Sequence, residues 1–244
     1  MSNNLRYDYA GDDALLEGAD WCGRRPDGLD LHYHEEVQVS VIWNGERDYR
    51  VGRQAVTLRP GEILVVPAGR PHHALPTLGD HIRSVEFYLA PSALPEPLRL
   101  ALGTSDYLLA AAPELNDAPP ADVASGLVQF LATPQWQARP ASPAAGDRLL
   151  AAVAGRTRIS EAATAAGFSR EGFIRAFARE IGMTPHAWRI NDRLNLGRRL
   201  LREGEAVSDV AYAAGFSDQS HFGRNFLKLF GATPGQFRAA HGGF

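Results

Sequence analysis

The order of apolar and polar positions changes character twice along the chain. From Leu31 to about Leu89 the apolar residues come in short runs, VQVSVIW, RDYRV, AVTL, EILVVP and HIRSVEFYL, broken by Gly, Pro and Asn-Gly. Runs of this length predict strands, and many of them at close spacing predict a sandwich or a barrel. Asn44-Gly45 followed by a second such run predicts a hairpin. After Pro91 the text turns to Ala and Leu, and LRLALG, DYLLAAA and VASGLVQFLA predict helices interrupted by PELNDAPPAD. The stretch TPQWQARPASPAAG, residues 133–146, has neither period and predicts a linker. The expected division is thus an N-terminal all-β unit with appended helices over 1–132, a linker over 133–146 and an all-α unit over 147–244.

Within the all-α unit the chain repeats itself. AAGFSREGFIRAFAREIGMTP at 165–185 returns as AAGFSDQSHFGRNFLKLFGATP at 213–234. Each copy begins with a serine, Ser160 or Ser208, as expected N-cap of a short helix that ends in Ala-Ala-Gly-Phe. Gly167 and Gly215 suit the left-handed closure of that helix. Ser169 and Ser217 are then expected to cap a second helix, with Glu171 and Asp218 in its first turn. Helix, glycine turn, helix is the helix-turn-helix pattern.

In the second helices, Phe173 with Phe177 and Phe222 with Phe226 stand four apart and define a buried face. The opposite face carries Arg170, Glu171, Ile174 and Arg175 in the first copy. In the second it carries Gln219, Ser220, Gly223 and Arg224, one extra residue being allowed for. Arginine pairs with guanine O6 and N7 or clamps a phosphate, and glutamine pairs with adenine, so these are the candidate DNA-contacting residues. Between the copies, Thr184-Pro185 starts a helix with Ile190, Leu194, Gly197 and Leu201 on one stripe. Thr233-Pro234-Gly235-Gln236 repeats that start as a capping box.

Charge supports the same division. Residues 147–244 hold 14 Lys or Arg against 9 Asp or Glu, while the preceding part holds 11 against 19. A basic unit suits a polyanion and an acidic one does not. A single cysteine, Cys22, excludes an internal disulfide. The polar, acidic start MSNNLRYDYAGDD, with no apolar run near the ~20 residues of a spanning helix, argues for a cytoplasmic protein without membrane insertion.

With these residues in place, 147–238 resembles the DNA-binding domain of AraC/XylS-type transcriptional regulators, most specifically in GFSDQSHFGRNFLKLFGATPGQFR at 215–238. The resemblance implies two helix-turn-helix modules joined by one long helix, reading successive major-groove segments of a double-stranded operator ~10 bp apart. It further implies a homodimer, contact with the transcription machinery, and a role as activator or repressor. The first module departs from the family pattern: Ala162 stands where a larger aliphatic residue is usual, as Val210 does in the second. Gly172 weakens its recognition helix by up to ~1 kcal/mol relative to Ala. The Leu- and Ala-rich stretch from about Pro97 to Leu131 offers a dimer surface, or equally a face that packs on the strands.

A second resemblance spans residues 28 to about 89. His32-Tyr33-His34, Gln38 and Gly45, followed by Gly61-EILVV-Pro67-Ala68-Gly69-RP-His72, resemble the two motifs of the cupin β-barrel, the usual effector domain of these regulators. Metal-binding cupins carry three His and a Glu at the matching positions; here they are His32, His34, Gln38 and His72, with the glutamate replaced by an amide. These four residues are expected to hold an effector, either a small organic molecule or a divalent transition metal such as Zn, Fe, Ni or Cu. A ligand-free barrel is the third reading. Residues 32, 34 and 38 share strand parity, but Val37, Val39, Val41 and Trp43 form the more apolar face of the same run. If that face lined the barrel, the histidines would point outward unless a bulge near Glu35 or Glu36 intervened. His73 and His81 are expected to be surface or packing residues. The contrasting function, a metal-dependent cupin dioxygenase or isomerase with a DNA-binding tail, is disfavoured by the missing glutamate and by the lack of a second acid/base cluster in the motifs. No catalytic residue is therefore expected.

Overall fold

Strand β3 (Val37–Asn44) is buried on both sides, and this decides the layer order of the N-terminal half. The computed structural model describes residues 4–8, 15–23, 29–76, 82–116, 118–119, 122–123, 127, 130–132, 136–140, 145–154 and 157–241. His81 and half of the stretch read as a linker lie outside them.

The other strands are β1 (Asn4–Asp8), β2 (Leu15–Gly23), β4 (Arg47–Val51), β5 (Gln54–Leu58), β6 (Glu62–Val66), β7 (His72–Ala74), β8 (Ile82–Leu89), β9 (Ser105–Ala111) and β10 (Gln137–Pro140). Among the described residues they form a seven-stranded sheet, ordered β1-β2-β8-β3-β6-β9-β10, and a three-stranded sheet, β5-β4-β7. Ile42, Leu64, Val66, Ile82 and Tyr107 of the large sheet meet Tyr49, Val51, Val56, Leu58 and Ala74 of the small one in one core. On the outer face of the large sheet, Val37, Val39, Val41, Val65 and Phe87 pack under Leu98 and Leu102 of helix α1 (Glu96–Gly103) and under Leu127 and Leu131. The apolar face of β3 therefore lies against helices, and its polar face, with Gln38 and Ser40, lines the space between the sheets. The parity question resolves without a bulge, because His32 and His34 precede β3 in an irregular segment that bends at 35–36.

Three expectations fail here. Asn44-Gly45 is a turn, with Gly45 at φ 80°, but β3 and β4 do not pair; the turn is a corner that carries the chain from one sheet to the other. DYLLAAA is strand β9, paired with β6 and β10, rather than a helix. The expected linker contains β10, whose residues 137–140 are all exposed.

The C-terminal half is helical: α2 (Ala145–Val153), α3 (Ile159–Ala165), α4 (Arg170–Ile181), α5 (Pro185–Arg202), α6 (Val207–Ala213), α7 (Gln219–Phe230) and α8 (Pro234–His241). Helices α3–α4 and α6–α7 are the two helix-turn-helix modules, closed at Gly167 (φ 79°) and Gly215 (φ 78°), and α5 joins them. Thr184 caps α5 ahead of Pro185, and Thr233 with Gln236 forms the expected capping box. Ser169 caps α4 by accepting from the Gly172 N–H at 3.1 Å. The other serine caps are corrected. Helices α3 and α6 start from Arg158 and Ala206, so Ser160 and Ser208 lie inside the first turn. The cap of α7 is Asp218, which accepts from the His221 N–H at 2.7 Å, one residue beyond Ser217, in keeping with the extra residue of the second copy. No helix among the described residues is long and apolar enough to cross a membrane.

Helix α5 passes α7 so closely that a Cβ on Gly197 would stand 2.7 Å from Phe222 Cε2 and 2.9 Å from its Cζ, in a core where Phe222 is fully buried. Gly197→Ala is accordingly expected to destabilise: overpacking costs ~1–3 kcal/mol, which exceeds the ~1 kcal/mol gained in helix propensity. A thermal melt should show a lower midpoint; an unchanged or raised midpoint would mean that the ring has room to move.

Candidate functional site

The histidine cluster is assembled from the segment before β3 and from β7. His32 and His72 form an antiparallel bridge, their backbone N–H groups donating to one another's carbonyls at 3.0 and 2.7 Å. The Gly69 N–H donates to the His34 carbonyl at 2.8 Å, which ties the turn before β7 to the same segment. All four expected residues are brought together and buried: His32 3 %, His34 1 %, Gln38 4 % and His72 1 % exposed. One nitrogen from each histidine can be chosen so that all three lie within 4.8 Å of one another.

The hydrogen bonds decide which nitrogen that is. Nδ1 of His32 lies 2.8 Å from the Asp30 carbonyl, Nδ1 of His34 lies 2.9 Å from that of Glu36, and Nδ1 of His72 lies 2.8 Å from that of Arg70. A carbonyl only accepts, so each Nδ1 carries the proton and each neutral ring presents a lone pair at Nε2. Anchoring one ring nitrogen on the backbone and freeing the other is how proteins orient imidazole ligands for a metal. Burial first, and then the mutual repulsion the rings would suffer if charged, with Arg198 acting on His34, hold the rings neutral: His32 falls to about 3 and His34 to about 4, and His72 lies well below its ordinary value.

Gln38 completes the set. Its Oε1 lies 2.9 Å from Nε2 of both His34 and His72, while its Nε2 donates to Ser40 Oγ at 3.0 Å. In that orientation an oxygen faces two nitrogen lone pairs, a repulsive contact that a cation relieves. Turned over, the same amide would donate to both imidazoles and accept from Ser40, since amide orientation follows from the network around it. Three imidazoles and a neutral oxygen thus fit a borderline divalent ion such as Zn, Fe, Ni or Cu. Deeper between the sheets the polar run continues from Ser40 to Tyr49. Tyr49 donates to Glu86 at 3.3 Å, and Arg47 pairs with Glu86 at 2.9 Å and donates to Ser84 at 3.1 Å.

The second candidate site lies on α4 and α7. Phe173, Phe177, Phe222 and Phe226 are fully buried, which turns the opposite faces outward. Arg170, Glu171 and Arg175 are exposed and Ile174 is half-buried; Gln219, Ser220 and Arg224 are exposed and Gly223 is half-buried. Arg170 and Glu171 form an exposed pair at 3.4 Å.

Sequence reasoning missed the contacts between the two halves. Tyr33 and Leu31 belong to the core of the first module, with Phe173, Phe177 and Met183. The Tyr33 ring stacks on Trp188, centroids 3.9 Å apart. Asn191 takes the Tyr33 backbone with both ends of its amide, accepting from the N–H and donating to the carbonyl at 2.7 Å each, and Asn195 donates to the same carbonyl at 3.2 Å. Glu36 is paired with Arg198 at 2.9 Å and with Arg202 at 2.5 Å. Burial alone would raise its carboxyl, but the two guanidiniums outweigh this and hold it at about 2. A signal was present: Asn191, Asn195, Arg198 and Arg202 fall on one stripe of α5, polar where its other stripe is apolar, with Trp188 at its start.

The chain matches the model of the AraC-like ligand binding domain over residues 14–154 and that of a helix-turn-helix domain over residues 148–240. It is 43 % identical over 84 residues to the transcriptional activator NphR of a Rhodococcus species, covering 34 % of this chain and 25 % of that protein. It is 35 % identical over 85 residues to the HTH-type transcriptional regulator MtrA of Neisseria gonorrhoeae, covering 34 % of this chain and 28 % of that protein. These matches span only about a quarter of each curated relative. In fold it is similar to unsaturated fatty acid bound ToxT from Vibrio cholerae, with a TM-score of 0.56 at 11 % identity over 94 % of this chain and 96 % of that one.

Neutral buried histidines give a defined acid response. Their ordinary value is 6.5 against about 3 and about 4 when folded, so below pH 6.5 the unfolded chain takes up protons that the folded chain does not. Stability should be fully present above pH 6.5 and fall progressively toward pH 4, with Glu36 adding its loss below its ordinary 4.5. Unfolding midpoints measured between pH 7.5 and 4.5 should decline in the wild type and decline less in His34→Gln. A flat wild-type profile would contradict the neutral cluster.

Proposed function

Because the chain belongs to the AraC-type transcription regulators, with an effector-binding domain of cupin type followed by paired helix-turn-helix modules, we propose that it binds double-stranded operator DNA in response to an effector held by His32, His34, Gln38 and His72. The observation that carries this reading is the pair of matched recognition helices, each with a phenylalanine pair inside and an arginine-bearing face exposed, on one continuous spacer helix. Arg170, Glu171, Ile174 and Arg175 would face one major-groove segment, and Gln219, Ser220, Gly223 and Arg224 the next. The regulator would act in the cytoplasm as a homodimer, through the Leu- and Ala-rich stretch from about Pro97 to Leu131, where Leu100 of α1 is 66 % exposed. Activation or repression follows from where the operator lies relative to the transcription machinery. The related chains are regulators, and we assign the cluster no catalytic step.

The effector reading we favour is a divalent transition metal. Support comes from one nitrogen of each histidine lying within 4.8 Å of the other two, and from the oxygen of Gln38 facing Nε2 of His34 and of His72. A bound metal would supply a positive charge that these four donors share. A small organic effector is the second reading. The polar run through Ser40, Tyr49, Glu86 and Arg47 favours it, and the ToxT structure that shares this fold has a bound unsaturated fatty acid.

Two measurements test these readings. Arg224→Ala should weaken binding to an operator selected from random DNA, by a factor corresponding to ~1–3 kcal/mol, and relax preference at one base pair. Loss of affinity that is uniform across sequences in a fluorescence anisotropy titration would make Arg224 a phosphate contact instead. Protein purified without chelator or affinity metal should carry near-stoichiometric metal by inductively coupled plasma mass spectrometry, lost in His34→Ala. Equal metal in both, or none in either, would turn the effector assignment to the organic ligand.

A further inference from the structure

We propose that residues 30–36 form a strap through which occupancy of the histidine site and docking of the DNA-binding half reinforce each other. This rests on the reading of the cluster as the effector site. The same short stretch does both jobs: His32 and His34 point Nε2 into the cluster, while Tyr33, Glu35 and Glu36 between and beyond them hold α5.

The strap touches both modules. Tyr33 is buried in the core of the first module and bonded through its backbone to Asn191 and Asn195. Toward the second module, the Asp30 N–H donates to the Lys228 carbonyl near the end of α7 at 3.4 Å, and the His32 ring stands 6.2 Å from Phe230. Arg198, which pairs with Glu36, lies over Tyr88 of β8 and over Phe230. A ligand that fixes His32 and His34 fixes the backbone on both sides of Tyr33 and, through the His34 bond to the Glu36 carbonyl, the second residue of the acidic pair. Contacts formed in advance lower the ordering cost of docking, and the linkage is reciprocal: docking must raise affinity for the ligand by the same factor. The recognition faces of α4 and α7 stay exposed in the docked arrangement. The strap therefore does not block DNA; it governs how firmly the two modules are held to one frame.

Asn191→Ala tests this in the full chain, because Asn191 lies on α5, bonds only to the strap backbone among the contacts described, and is neither a cluster ligand nor on a recognition face. Hydrogen–deuterium exchange without added ligand should show the amides of His32 and His72 exchanging at least about five-fold faster in the variant, the lower end of ordinary coupling. Zinc or nickel titrated calorimetrically should bind the variant weaker by a similar factor. Glu36→Gln provides a second cut at the other end of the strap, and far-ultraviolet circular dichroism checks that each variant is folded. Protection of His32 and His72 unchanged in both folded variants would overturn the strap, whether or not metal binds. If the wild type binds neither metal but both amides loosen in the variants, the strap stands and the metal assignment fails.

Discussion

The meeting of the two halves depends on one carboxylate. Glu36 lies buried between Arg198 and Arg202, and the Arg198 guanidinium sits over Tyr88, Phe230 and Phe237 at 4.5, 5.2 and 5.7 Å. These rings come from β8, α7 and α8, so one side chain joins the large sheet to the C-terminal end of the second module and to the helix that follows it. Taking such charges out of water is unfavourable unless all partners are present, and removing one partner of a buried pair costs ~3–5 kcal/mol. Partial docking would leave a charge buried and unmatched. The halves are therefore held either in this register or not at all, and the Tyr33 backbone bonds to Asn191 repeat the same all-or-none logic with uncharged groups.

This junction also revises what the charge balance means. The basic surplus of 147–244 suits a polyanion, yet Arg198, Arg199 and Arg202 face Glu36, Glu35 and Glu36 respectively. Part of the opposite charge on the two halves thus serves their own contact. The exposed Arg199–Glu35 pair adds little to stability but favours this partner over others. Arg170, Arg175 and Arg224, on the outward faces of α4 and α7, are exposed and take no part in this contact.

The helical half was legible because its grammar is local. Caps, a left-handed glycine and phenylalanines four apart are written within a few residues, and the duplication prints them twice; the shifted caps at Arg158, Ala206 and Asp218 are errors of one or two positions. The β half was legible only strand by strand. Ser105–Ala111 reads as helix because Tyr107 packs between the sheets while Leu108 and Ala110 pack under the helices, so burial on both faces erases the alternation that marks a strand. Asn44-Gly45 announces a turn but not which strand lies beside which. The four cluster residues were legible through their resemblance to the two cupin motifs, although strand parity alone left open which way the histidines point. Tyr33, Glu36 and the polar stripe of α5 were not, since a contact across about 160 residues leaves no mark in either segment alone.

The amide at Gln38 then takes on meaning beyond the loss of a carboxylate. A glutamate there would place a negative charge beside two Nε2 lone pairs, an arrangement satisfied only by a cation or by protonating the rings, which burial opposes. A glutamine has both a donor and an acceptor end. With its oxygen toward His34 and His72 it would help to bind a cation, and with its nitrogen toward them it would close the network through Ser40 with nothing bound. A site that is satisfied in both states binds its ligand more weakly than one that is satisfied in only one, and so can be emptied as well as filled. A sensor requires that property, and a permanent structural centre does not.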